Sequence, residues 1–183
     1  MQQLAGYAGE IERTFDLRLR YISGGNSSSL PLIAAGNMPQ RITHVRIGEG
    51  ILLGHETVHR TAWPGTFQVA FCLHAEVIEE KEKPSVPIDQ TGEDAFGETH
   101  LFVDKGLMDQ AIVNIGREDV DVNGIRPLDP HLSIVGASSD HLILDVTPAK
   151  GRIRVGDDIA FSLNYSALLA AMTPPYVAKY PTS

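Results

Sequence analysis

Two apolar stretches of this chain each run straight into glycine and small hydroxyl residues, and that repeated junction limits the fold more than any other feature. The first is Leu17 to Ile22 followed by Ser23-Gly24-Gly25-Asn26-Ser27-Ser28-Ser29-Leu30; the second is Val45-Arg46-Ile47-Gly48-Glu49-Gly50, continuing to Gly54. Glycine lets a backbone turn tightly enough to aim several N–H groups into one concavity, where an anion such as a phosphate binds. Gly24, Gly25 and Gly48 are placed to do this. Ser27 and Ser28 would then sit at the C-terminal edge of a strand, where ligands collect in α/β folds. Taken alone, Gly-Gly-Asn-Ser-Ser-Ser reads first as a surface turn followed by a helix N-cap. Two such junctions in succession favour the binding reading.

The pattern along the chain changes near residue 58. Leu4 to Phe15 carries apolar residues at helical spacing, and a strand over Leu17 to Ile22, a short helix around Leu30 to Ala35 and a second strand pair come after it, a β-α-β rhythm. From about Thr61 the chain reads as β: Thr66 to Glu80, Ala111 to Ile115, Leu132 to Val135, Leu142 to Val146 and Asp158 to Leu163 are apolar runs separated by Gly, Pro, Asp and Asn. That spacing suits a β-barrel or β-sandwich. Tyr165 to Met172 fits a helical turn or a last strand. Glu79 to Lys83 reads as a solvated charged loop. The expected fold class is α/β plus β, with residues 1–58 in one part and residues 59–183 in a β-rich domain.

A formal charge of −8 argues against nucleic acid or an anionic membrane surface as partner. The single cysteine, Cys72, excludes an internal disulfide framework. No apolar run has the length of a membrane span, and Met1 to Glu12 lacks the basic and apolar regions of a leader, so a cytoplasmic protein is expected. The seven histidines are scattered along the chain, so no metal site is expected.

In order and content these segments resemble the C-terminal portion of the alanine racemase family, fold-type III pyridoxal-phosphate enzymes, and most closely its alanine/ornithine racemase branch. Asn26-Ser27-Ser28 is similar to the family's Asn-Ser-Ala, and Arg46-Ile47-Gly48 to its Arg-x-Gly. The resemblance implies that Ser27 contacts the phosphate of pyridoxal 5'-phosphate, that Arg46 faces the pyridine nitrogen, and that Gly48 and Glu49 bind phosphate through their backbone amides. It also implies the terminal part of a TIM-like (β/α) barrel followed by a C-terminal β-barrel domain, working as a homodimer on a small amino-acid substrate. An arginine at the ring nitrogen cannot accept a proton, because its own pKa is too high, and the ring then withdraws electrons less completely. The residue alone also suits a surface ion pair.

The β part resembles the family less specifically. Met108-Asp109-Gln110 is similar to the segment that frames the substrate carboxylate, which makes Met108 and Asp109 the implied substrate-binding residues. Where alanine racemases carry Val-Pro-Ile-Gly-Tyr, with the tyrosine as one of two bases, this chain has Val86-Pro87-Ile88-Asp89-Gln90, and an amide cannot take a proton from an α-carbon. The next segment, Thr91 to Gly97, suits the ornithine-type branch. Ser23 stands where alanine racemases often have a histidine. Candidates for the acid or base are Asp94, Asp140, His141 and Tyr165. Gly136 to His141 concentrates a carboxylate, an imidazole and hydroxyls in one turn, which suits proton transfer but more readily an Asx-type turn facing water.

The family's cofactor-bearing lysine lies on its first barrel strand, and here no lysine precedes Lys81. The expectation is therefore the C-terminal portion of an amino-acid racemase of the ornithine/alanine type, inactive as an isolated chain. A non-catalytic partner, one half of a split enzyme, and a small pyridoxal-phosphate binding protein are the alternatives.

Overall fold

Apolar residues at Leu4, Tyr7, Ile11 and Phe15 follow the helical period, and Gln2–Phe15 forms α1. No glycine ends it: Asp16 takes the left-handed conformation (φ 46°), and Leu17 N–H returns to the Glu12 carbonyl at 3.2 Å. The computed structural model describes residues 1–86 and 104–181, and these fall into two units, Met1–Phe71 and Cys72–Ser183.

In the first unit α1 is followed by a one-turn 3-10 helix (Ser27–Ser29), α2 (Leu30–Ala34) and α3 (Glu49–Leu52). The strand expected over Leu17 to Ile22 does not form as a regular strand. Ser23 and His44 make one parallel bridge, and the Ile22 carbonyl accepts from Thr43 N–H (3.1 Å) and His44 N–H (3.3 Å). A parallel strand needs partners to fix a ladder, and each of these two extended segments finds only the other within its unit. Three apolar side chains are buried in this unit, Ala8, Ile22 and Leu53.

The second unit is a six-stranded antiparallel sheet in the order β3-β6-β1-β2-β5-β4, from β1 (Leu73–Pro84), β2 (Leu107–Val113), β3 (Ile125–Pro127), β4 (Ser133–Ala137), β5 (Leu142–Asp145) and β6 (Asp158–Leu163). Its edge strands β3 and β4 come into contact, so the sheet nearly closes into a barrel. The helix α4 (Tyr165–Met172) comes after β6, started by Asn164, whose side chain accepts from Ala167 N–H at 2.9 Å.

The long strand β1 makes the closure possible. Residues Leu73 to Glu76 pair with β6, whereas Val77 to Pro84 pair with β2, and a bulge lies between Val77 and Glu79. A bulge bends a strand and raises its twist, so one strand can serve both sides of the barrel. Leu73, Ala75 and Val77 point inward at every second residue and meet Ala111, Val113, Leu142, Leu144 and Phe161 in one core.

Two expectations for this part change. Glu79 to Lys83 is strand, not loop, because residues 79, 81 and 83 share one face and pair their charges along it: Lys81 and Lys83 both bind the Glu79 carboxylate. Thr66 to Phe71 carries no strand, and β1 begins only at Leu73, where antiparallel pairing with β6 begins. The short β3 is a strand the composition did not announce; it ends on Pro127, which the sheet tolerates on an edge strand.

Candidate functional site

The two glycine-rich junctions lie side by side in the first unit. Gly24 N–H donates to the His44 carbonyl at 3.0 Å and Arg46 N–H to the Gly25 carbonyl at 3.1 Å, so the ends of both extended segments are held together. Gly25 takes φ 101°, which a side chain rarely adopts, and the chain turns there into the capping box of the 3-10 helix. The Asn26 side chain accepts from Ser28 N–H at 2.9 Å and from the Ser28 hydroxyl at 2.7 Å.

Ser27 is the lock between the two junctions. It is buried, and its hydroxyl oxygen accepts from Gly50 N–H at 3.0 Å. Gly50 allows the approach: a Cβ there would come within 2.7 Å of Leu30 Cδ1. Accepting that bond leaves the Ser27 O–H hydrogen available to a ligand. In the second junction Ile51 and Leu52 N–H turn back to the Gly48 carbonyl at 3.0 Å, whereas the N–H groups of Gly48 and Glu49 have no acceptor among the described residues. The exposed Arg46 guanidinium has no hydrogen bond or ion pair among the described residues either. A buried hydroxyl, two unused N–H groups and an unpaired guanidinium on adjoining loops form a donor set with the chemistry of an anion site. That donor set fits the phosphate of pyridoxal 5'-phosphate.

Several further polar residues gather here. His44 Nδ1 lies 2.8 Å from the Ser23 hydroxyl, so a histidine does adjoin Ser23, supplied by the neighbouring segment two residues before Arg46. Tyr21 meets the His44 ring edge-on at 6.0 Å. Glu56 is buried, and its carboxylate accepts from the N–H groups of Val58 (2.7 Å), His59 (2.6 Å) and Thr61 (3.3 Å) and from the Thr61 hydroxyl (3.2 Å). Burial opposes ionisation of Glu56, but these bonds outweigh it and hold the carboxyl below its usual range. Arg60, in the loop so gathered, forms an ion pair with Glu49.

In the second unit, Met108 and Asp109 lie on β2 and both are buried. Asp109 does not stand free: Lys150 Nζ reaches its carboxylate at 3.1 Å and Glu82 at 3.1 Å, and Asp109 N–H donates to the Thr147 hydroxyl at 3.0 Å. The Asp109 and Glu82 carboxylates raise the Lys150 pKa. Asp140 and His141 lie in the exposed turn between β4 and β5, where Ser138 N–H donates to the His141 carbonyl at 2.8 Å. The Asp140 carboxylate faces Glu118 and raises its pKa, with burial adding to the effect. Tyr165 opens α4 and is exposed. Asp94, like Pro87 to Gly97, lies outside the described residues. The structure thus brings Ser27, Arg46, Gly48 and Glu49 together within one unit and Met108 and Asp109 together within the other. No cluster of three or more metal-ligating side chains occurs among the described residues, and no described helix is long and apolar enough to cross a membrane.

No protein-family model matches the chain. It is 44% identical over 179 residues to an ornithine racemase of Acetoanaerobium sticklandii, covering 98% of this chain and 51% of the relative. It is 41% identical over 170 residues to a lysine racemase of Thermotoga maritima, covering 93% of this chain and 48% of the relative. The chain therefore spans about half the length of the curated relatives it matches. Among solved structures, an alanine racemase from Bacillus anthracis matches at a TM-score of 0.54 and 20% identity, over 82% of this chain and 37% of the other. A D-threonine aldolase from Filomicrobium marinum matches at 0.53 and 16%, over 91% and 41%. The structural likeness shows the fold alone, since a racemase and an aldolase share it.

Proposed function

We propose, because this chain belongs to the alanine racemase family as a C-terminal portion, that it serves a pyridoxal-phosphate-dependent racemase acting on an amino acid with a cationic side chain, ornithine or lysine. The observation that carries this reading is sequence identity above 40% to two racemases of such substrates along nearly the whole chain. The donor set joined by Ser27 and Gly50 supports it. The first unit, Met1–Phe71, is read as the terminal part of the cofactor-binding barrel and the second, Cys72–Ser183, as the β domain, in an enzyme that works as a cytoplasmic homodimer.

In this reading the chain's own groups bind and orient. The Ser27 hydroxyl and the N–H groups of Gly48 and Glu49 donate to the phosphate, and their fixed positions require little reorganisation. The Arg46 guanidinium faces the ring nitrogen and, being permanently charged, takes no proton from it. The chemistry supplied by the bound cofactor is an electron-withdrawing ring that stabilises the α-carbon after its proton leaves. Met108 and Asp109 frame the substrate carboxylate, Asp109 with its own charge already offset by Lys150. The first unit contains no lysine, so covalent attachment of the cofactor requires a lysine from a segment joined to or paired with these residues.

The experiment is a racemisation assay on D- and L-ornithine and lysine, run on this chain alone and on the chain supplied with a lysine-bearing barrel segment of a relative. Turnover only in the second case, with reversible cofactor binding in the first, is the expected result. Turnover by the pure chain would remove the lysine requirement, and failure of the chain to bind the cofactor in either case would remove the reading.

A further inference from the structure

The phosphate reading leaves one electrostatic problem. Glu49 is asked to give its N–H to a phosphate while its own carboxylate belongs to the same residue, and that side chain is only 14% exposed. A poorly hydrated carboxylate beside a phosphate dianion repels it, and the repulsion is stronger where water is scarce.

The structure contains an answer in the next loop. Arg60 forms an ion pair with Glu49, although its backbone holds φ 59°, a left-handed conformation uncommon outside glycine and asparagine. The conformation is imposed from below. The buried Glu56 carboxylate gathers the N–H groups of Val58, His59 and Thr61, and His55 and Ala62 close the loop with an antiparallel bridge. Glu56 is thereby occupied by the backbone and leaves the Arg60 guanidinium to Glu49. Arg60 itself is 63% exposed, so its place is fixed by this one partner and by the loop beneath it, not by packing.

We propose that Arg60 is a positioning residue of the phosphate cradle: held by the Glu56-gathered loop, it pairs with the Glu49 carboxylate and cancels a negative charge that would otherwise oppose the cofactor's phosphate. This rests on the cofactor reading above and specifies which residue makes the Glu49 amide usable. Arg60 acts through Glu49 and need not touch the ligand. Removing Arg60 alone therefore harms binding, whereas removing both charges restores it.

The test is an amide NMR titration of the chain with pyridoxine 5'-phosphate, which lacks the aldehyde and forms no imine, and in parallel with inorganic phosphate. The proteins compared are the wild type, R60Q, R60K, E49Q and E49Q/R60Q. The expected result is movement of the Gly48 and Glu49 amides in the wild type, with affinity weakened about tenfold in R60Q, the order of one charge-assisted contact. R60K and E49Q/R60Q stay within about threefold of the wild type, since each keeps Glu49 either paired or uncharged. Weakness in the double variant equal to that of R60Q would overturn the proposal, because Arg60 would then act on the ligand or on the loop fold directly. So would wild-type affinity in R60Q while the amides still respond, and in that case the cofactor reading stands. If R60Q loses the native amide pattern, E49Q decides: affinity at or above that of the wild type supports the proposal, and a loss overturns it. Absence of any response at Gly48 and Glu49 in the wild type removes the cofactor reading and this inference with it.

Discussion

The two units reach order by different means. The β unit hides a continuous apolar core, with Val77, Val113, Leu142, Leu144 and Phe161 fully enclosed, whereas the first unit buries only Ala8, Ile22 and Leu53. In place of a core, the first unit is tied by polar side chains to backbone: Ser27 to Gly50, Thr43 to Ile22 at 3.0 Å, Glu12 to Leu19 at 2.9 Å, and Glu56 to three N–H groups of its own loop. Its helix α1 leaves Leu4, Tyr7, Ile11 and Phe15 largely exposed. A barrel of side chains stabilises by area removed from water; a ring of capped loops stabilises by making each N–H and carbonyl specific. The second kind of order suits a binding site, because the donors it leaves over are pointed in fixed directions.

The sharpest way to break this comparison is to remove one large side chain from the core. Phe161 is fully enclosed on β6, opposite Leu73 on β1 and Pro127 on β3, so Phe161→Ala is expected to cost about 3–5 kcal/mol. Urea unfolding followed by far-ultraviolet circular dichroism reads the loss. Trp63, the chain's single tryptophan, lies in the first unit, and its fluorescence reports that unit separately. Coincident shifts of both probes would show that the two kinds of order unfold as one.

A smaller change sharpens the other side. Ser27→Ala leaves the Gly50 N–H without its acceptor in a buried position, a loss of about 1–3 kcal/mol. The expected outcome is faster hydrogen exchange at Gly50 and a lower Trp63 transition, with the β-sheet signal unchanged. An unchanged exchange rate at Gly50 would mean that the two junctions are held by the His44 and Gly25 carbonyls alone.

Legibility in the sequence divides along the same line. The helix α1 and the strand β6 over Asp158–Leu163 were legible, because periodicity is a local property. The strand at Leu17 to Ile22 was not borne out, since a strand is completed by its neighbours and the chain supplies only one. Glu79 to Lys83 read as solvated charge because composition cannot show that alternate residues pair along one face of a strand. The pairing of Glu49 with Arg60 was invisible for a different reason: it depends on a left-handed backbone at Arg60 that Glu56 enforces through three hydrogen bonds.

The smallest expected effect concerns charge on the β unit, where two carboxylates titrate in opposite directions. Hydrogen bonds from Lys81 and then Lys83 push Glu79 down to about 2, while the negative charge of Asp140 and then burial push Glu118 up. For Glu79 the folded value lies below the ordinary 4.5, so its contribution to stability is complete above 4.5 and fades as the pH falls toward 2. Glu118 is the reverse. Its protonated form is favoured in the folded state, so stability is greatest below its ordinary value and declines as the pH rises through the raised one. Both groups are solvent-accessible, which keeps each effect small and sensitive to salt. Carboxyl carbon NMR across an acid titration reads each group directly. Replacing Lys81 and Lys83 by glutamine is expected to return Glu79 toward 4.5, and Asp140→Asn to lower Glu118. A Glu79 that titrates near 4.5 in the wild type would show that the charged face of β1 is solvated after all, and the pairing along that strand would lose its support.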